Sequence, residues 1–447
     1  MDMVNEPLAT APPEAPLAPF TRWSLPARIA FRFFALYLTL YIVCTQMFSS
    51  LFVLPWGSIP APAESWTLRT LASWVATDVL HFPKPLTLVS GSGDTPLDFA
   101  TCLTLLTIAV IGTALWSLAD RRRPAYPALQ AWFRLFLRFG LGGTLLTYGM
   151  IKAIPLQMPY PRLTRLLEPY GNFSLMGVLW SQMGASPAYQ IFTGVAEIAA
   201  AVMLFIPGLT TLGALIALAA AAQVFVLNMT FDVPVKLFSL HLVVMAAVLL
   251  APDARRLAEA IVLRRAVPGA PERRLFGGRR AQRIVIAAQL VLGGWLVWSA
   301  YKSDMQGWNT YGGGAPKPPY YGIWQIEKMT IDGVERAPLV TDYDRFRRIV
   351  IERANGISFQ RMDDTFMGYP AQLAADRQSI MLVRGQPPQT TTLGQFRIEQ
   401  PSPDLLVLDG SIGKRSYRME ARLFDREKFL LVRSPRFRWV QDNPFNR

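Results

Sequence analysis

Several side chains that can carry charge or hydrogen-bond collect toward the outer ends of long apolar runs: Lys152, Glu197, Gln223, Asn228, Asp232, Lys236 and His241. Ionisable groups in hydrocarbon are costly, so they tend to face a partner or mark a function. A carboxylate, an imidazole and an ammonium around one space can relay protons or hold the polar head of a lipophilic molecule. Glu197 and His241 are the candidate catalytic pair, and Lys152, Asn228, Asp232 and Lys236 the candidate ligand-binding residues. The same side chains equally suit a structural hydrogen-bond network, since polar residues also hold membrane helices together. At ~1.5 Å rise per residue, Glu197 lies about 15 Å below the outer end of its apolar run and His241 about 10 Å below the end of its own. Their depths overlap, so one outward-facing pocket is expected to hold both. Lys236 and His241 are five positions apart and share no helical face, so only one of them points at Glu197.

Other chemistries find less support. Two cysteines, Cys44 and Cys102, and two histidines, His81 and His241, are too few for a disulfide scaffold or a zinc cluster. Both cysteines fall in the outer halves of their apolar runs, where a thiol pair is geometrically conceivable, but two small core residues is the simpler reading. Ser90 to Asp94 reads as a turn, because no Gly-Lys-Ser/Thr follows to cradle a phosphate. Asp94 and Asp98 are two carboxylates, too few for a cation site, and no protein-bound metal is expected.

These residues must be positioned by membrane helices. Hydrophobic residues make up 51% of the 447 and charged residues only 17%, a balance unlike that of a soluble domain. Apolar stretches near 28–54, 99–118, 132–151, 187–206, 209–229, 234–251 and 282–301 are each close to the ~20 residues that cross a bilayer as helix. Seven spans are expected. The net charge of +14 then reads as a topology signal and not as a nucleic-acid footprint. Arg121, Arg122 and Arg123 follow the second run, and nine arginines from Arg255 to Arg283 lie between the sixth and the seventh. Basic connections stay cytoplasmic, which places the N-terminus inside and the C-terminus outside. Trp56, Tyr160, Tyr170 and Trp298 fit an outer interfacial belt, and Trp116 and Trp132 an inner one, though each also suits plain packing. Helical spacing of apolar residues over 65–82, with Ser65 as N-cap, and again over 174–185 predicts two short helices roofing the outer mouth.

After Tyr301 the composition changes. The expected organisation is a cytoplasmic tail (1–26), a transmembrane helical domain (27–301), a Gly/Pro linker (302–317) and a periplasmic β domain (318–447). Alternating runs at 321–330, 346–352, 357–362, 379–384, 393–399, 404–409, 415–423 and 427–433 read as about eight short strands of a small antiparallel barrel. The fold class is thus a polytopic α-helical membrane bundle followed by an all-β barrel-like domain.

Tyr148-Gly149-Met150-Ile151-Lys152, Gly194-Val195-Ala196-Glu197 and the stretch from Leu227 through Asn228, Asp232, Pro234 and Lys236 to His241 resemble the DoxX-like membrane proteins. The resemblance covers about 130–255. It implies a bacterial inner-membrane bundle, associated with redox chemistry through a quinone, with Lys152, Glu197, Asn228, Asp232, Lys236 and His241 at the matching positions. This chain departs from the small four-helix members by its added spans and its C-terminal domain. Gly322-Ile323-Trp324 is similar to the Gly-x-Trp that begins lipocalin-like barrels, which implies a basic residue, Arg433 or Arg436, over the tryptophan; a core tryptophan in any small β domain fits equally. Three functions follow: a quinone-linked redox-associated protein served by a partner protein, a membrane-anchored lipid or hydrophobic-ligand binder, or an assembly subunit of an envelope complex.

Overall fold

A computed structural model describes residues 22–55, 57–61, 66–86, 91–267, 275–385, 390–433 and 438–444. Trp56, Ser65, Ser90, Arg273, Arg274, Arg436 and the tail before Arg22 lie outside the described residues. Among the described residues, seven long helices carry the first part of the chain: α1 (Leu25–Cys44), α2 (Pro96–Ala119), α3 (Pro127–Ala153), α4 (Pro187–Phe205), α5 (Thr210–Thr230), α6 (Lys236–Leu250) and α7 (Arg279–Thr310). Among the described residues, six stretches are long and apolar enough to cross a membrane, and they correspond to all of these except α3. Helix α3 is long enough, but Arg134, Arg138 and Lys152 interrupt its apolar character. The reason is its position: it packs against α1, α4, α6 and α7 and is buried along much of its length from Leu137 to Lys152. A helix sheathed by other helices can carry charges that a lipid-facing helix cannot.

Two expected boundaries move. Helix α1 stops at Cys44, and a separate short helix, Gln46–Leu51, leans on α3. Helix α7 runs nine residues past Tyr301 to Thr310, into what composition marks as linker. Its last turns contain Lys302, Asp304 and Gln306, which favour water without opposing helix. Two short helices are present in the expected stretches as Trp66–Trp74 and Leu175–Ala185, the second capped by the Ser174 hydroxyl accepting from Gly177 N–H.

The second part is a closed up-and-down barrel of eight antiparallel strands: β1 (Gly322–Ile331), β2 (Phe346–Arg353), β3 (Gly356–Arg361), β4 (Phe366–Leu373), β5 (Ser379–Arg384), β6 (Thr391–Ser402), β7 (Leu405–Ile412) and β8 (Arg415–Leu423). Each strand pairs with the next, and β8 returns to β1 with Leu423 opposite Trp324. The run at 427–433 is no strand. It forms a 3-10 turn, Arg426–Lys428, and a helical turn, Leu430–Arg433, because closure of β8 on β1 leaves no free edge for it. Strand β4 is the one that sequence patterning misses, since Gly368 and Pro370 argue against a strand. Pro370 is tolerated because β5 pairs only with Ala371–Leu373, leaving its missing N–H on an unpaired side.

Side chains fill the barrel. Phe346 stacks on Phe359 at 4.8 Å, and Met329, Leu382, Phe396, Leu408 and Met419 close the interior, as expected for an eight-stranded barrel with apolar inward positions. Trp324 is buried at one end, and its indole donates to the Tyr320 carbonyl at 2.9 Å. That backbone acceptor satisfies the ring's polar edge, while Arg433, expected as a lid, belongs to the helical turn after β8.

Barrel and bundle touch through the connection between α3 and α4. Leu163 packs with Ile323 and Val350 on the barrel's outer face, and its N–H donates to Glu352 Oε1 at 2.9 Å. Tyr160 hydroxyl donates to the Leu431 carbonyl at 3.4 Å.

Candidate functional site

The polar centre is built where α3 and α4 come closest. A Cβ on Gly194 would lie 2.5 Å from the Gly149 carbonyl oxygen, so only glycine permits this approach. Next to that contact, Lys152 Nζ donates to both oxygens of Glu197 at 2.7 and 2.8 Å. Both residues are buried, at 6% and 4% exposure. The ammonium also stands 5.9 Å from the centre of the Tyr148 ring, whose hydroxyl accepts from Gln46 Nε2 at 3.2 Å.

His241 has other partners. Its Nδ1 is 2.7 Å from the Leu237 carbonyl, which can only accept, so Nδ1 carries the proton. In the neutral ring Nε2 is then the acceptor, and Tyr37 hydroxyl donates to it at 2.7 Å. Tyr41 stacks on the imidazole with ring centres 3.8 Å apart. Glu197 is therefore committed to α3 and His241 to α1, and no hydrogen bond joins the two among the described residues.

The remaining expected ligand-binding residues serve the turn between α5 and α6. Asn228 Nδ2 donates to Ser239 Oγ at 3.0 Å. Asp232 takes a left-handed backbone, φ 50°, just past the end of α5, while Val233 N–H donates back to the Asn228 carbonyl, the arrangement that closes many helix C-termini. Its carboxylate is exposed and pairs with Lys236 at 2.9 Å. Asp94 supplies what sequence reasoning does not find. From a distant loop it accepts from Lys236 N–H at 2.8 Å and Leu237 N–H at 2.9 Å, capping α6. Asp98 instead forms a capping box with Thr95 at the start of α2. Neither is arranged for a cation, and among the described residues no three metal-ligating side chains cluster. Cys44 and Cys102 are free thiols packed beside the bundle core.

Away from the barrel, arginines do structural work. Arg32, 1% exposed, donates to Tyr126 hydroxyl, Ser117 Oγ and the Asp120 carbonyl, tying α1 to the loop between α2 and α3. Arg134 bonds the Leu249 carbonyl and Asp253.

Among the described residues, an apolar groove of about 510 Å³ lies between α3, α4 and α7, walled by Met150, Val202, Phe205, Leu290, Gly294 and Trp298. Gly293 lets α7 close onto Phe205, whereas a Cβ on Gly294 would meet nothing within 4 Å and so faces open space. No run of polar residues announces this groove in the sequence; the adjacent pair Gly293-Gly294 inside an apolar span is its only mark.

Over 135 residues, 30% of this chain and 83% of the relative, the sequence is 33% identical to "Uncharacterized protein YwoB" of Bacillus subtilis (strain 168). No family model matches the chain, and no solved structure matches it.

Proposed function

We infer, for a chain that belongs to the same family as the uncharacterized protein YwoB of Bacillus subtilis, a membrane-embedded binding function: it holds a quinone or a comparable lipophile in the groove between α3, α4 and α7. The observation that carries this reading is the groove itself. Its volume and apolar walls fit a ring or a chain segment, and its opening lies among helices apolar enough to face lipid. The barrel interior is filled by its own side chains, so the lipid-carrying role belongs to the bundle. Arginine-rich connections support a bacterial inner-membrane setting with the N-terminus cytoplasmic and the barrel periplasmic. Resemblance to DoxX-like proteins supports a redox association in which a partner protein would supply electrons; Glu197 and His241, the proton-exchanging pair expected from the sequence, do not line this groove.

Solvent extraction of the purified full chain, followed by mass spectrometry, tests the reading. A quinone or other lipophile is expected to copurify and to be lost from Gly294→Leu, whose Cβ starts in open space beside the groove. Equal recovery from both proteins, at equal folded yield, overturns it.

A further inference from the structure

Arg138 lies midway along α3 and is only 7% exposed. Its Nε donates to the Leu204 carbonyl at 2.8 Å and its Nη1 reaches Gln289 Oε1 at 3.4 Å, while Nη2 has no partner. No carboxylate pairs with it among the described residues. The contrast with Arg134, which has Asp253, and with Arg32, which is held by several oxygens, is chemical. A buried guanidinium with a free N–H and no counter-charge is costly to keep. An acceptor oxygen delivered from outside the chain would remove that cost.

The place where such an oxygen would arrive is set by the two acceptors Arg138 already uses. Leu204 immediately precedes Phe205 on α4, and Gln289 immediately precedes Leu290 on α7; Phe205 and Leu290 both wall the groove. The guanidinium thus bridges α4 and α7 through the residues next to Phe205 and Leu290, behind the groove wall and not among its lining residues. An apolar groove with one under-bonded cation behind the wall at one end matches a lipophile whose oxygen-bearing head reaches in between Phe205 and Leu290.

We propose that Arg138 binds the oxygen-bearing head of the groove's ligand, with Gln289 orienting the guanidinium, and that the ligand class is a lipophile ending in a carbonyl or a carboxylate. This rests on the groove being the binding site. A quinone carbonyl and a fatty-acid carboxylate share the required acceptor chemistry. Arginine is suited to either, because its planar fork can keep the Leu204 contact while offering a second N–H to the ligand.

Titration of the full chain in detergent with three probes separates the possibilities: a decyl-substituted benzoquinone, dodecanoate and decylbenzene. Arg138→Met is expected to weaken the benzoquinone or dodecanoate by about tenfold to a hundredfold, the range of a charged hydrogen bond, and to leave decylbenzene unchanged. Whichever oxygen-bearing probe is lost identifies the head as carbonyl or carboxylate. The variant removes an unpaired buried charge, so its melting temperature should not fall. Should Arg138→Met fold poorly, Arg138→Lys keeps the charge without the fork and should weaken the same probe. Unchanged affinity for both oxygen-bearing probes, or equal loss for decylbenzene, overturns the role of Arg138. Gly294→Leu distinguishes the two failures: if it leaves all three probes bound, the groove reading itself is wrong.

Discussion

Lys152 and Glu197 satisfy each other where either alone would be an uncompensated charge. Both carboxylate oxygens accept from one ammonium, and such pairs depend strongly on both members being present. Lys152→Met or Glu197→Leu alone is expected to cost about 3–5 kcal/mol of stability, with much of it recovered in the double variant. Chemical unfolding in detergent checks this, and single variants as stable as wild type would remove the case for a buried pair. Tyr37 and His241 form a separate hydrogen-bonded couple. Tyr37→Phe leaves the imidazole acceptor unpaired at a cost of about 1–3 kcal/mol, measurable in the same unfolding series.

Helices meet through small residues and distant caps in this bundle. Gly194 sets the α3–α4 spacing, and Asp94 closes the N-terminus of α6 from another part of the chain. Asp94→Ala removes the cap and is expected to cost about 0.5–2 kcal/mol, with faster amide exchange at Lys236 and Leu237 as its local signature. Asp94→Asn keeps an acceptor and should restore part of the protection. If exchange at those two amides is the same in Asp94→Ala as in wild type, the cap is not formed in solution.

The whole molecule couples a lipid-facing bundle to a barrel with its own core. Because nineteen side chains among the described residues form the buried core of the barrel, residues 318–447 are expected to fold alone and give a β-type circular dichroism spectrum. Helical or disordered spectra from that fragment would contradict it. The joint between the two parts should respond to pH through Glu352. Burial at the contact with Leu163 raises its carboxyl above the ordinary 4.5, outweighing the Leu163 hydrogen bond and the nearby Arg162 and Arg353. A carboxyl raised by docking binds its proton more tightly when docked, so docking is strongest below 4.5 and weakens as pH climbs through the raised value. Glu352→Gln should flatten that part of the melting-temperature profile of the full chain; an unchanged profile would place the pH response elsewhere.

Apolar length, the arginine pattern and the change of composition after Tyr301 were enough to read a helical bundle followed by a β barrel, because burial in lipid or in a barrel core writes a periodic signal into consecutive residues. Lys152 and Glu197 were legible as intramembrane charges for the same reason. Their pairing with each other, and the assignment of His241 to Tyr37 and Tyr41, were not, since partners 45 and 204 positions apart are chosen by how helices pack. Asp94 had no role in the sequence beyond a carboxylate near a turn, and gained one only when folding set it against α6. Strand β4 was hidden by Pro370, whose cost depends on whether a neighbour lies on that side. The groove and the under-bonded Arg138 exist only because Gly293 and Gly294 let α7 settle against Phe205 while leaving space beside it. Sequence carries what each residue prefers locally; which groups are left without partners is a property of the closed packing.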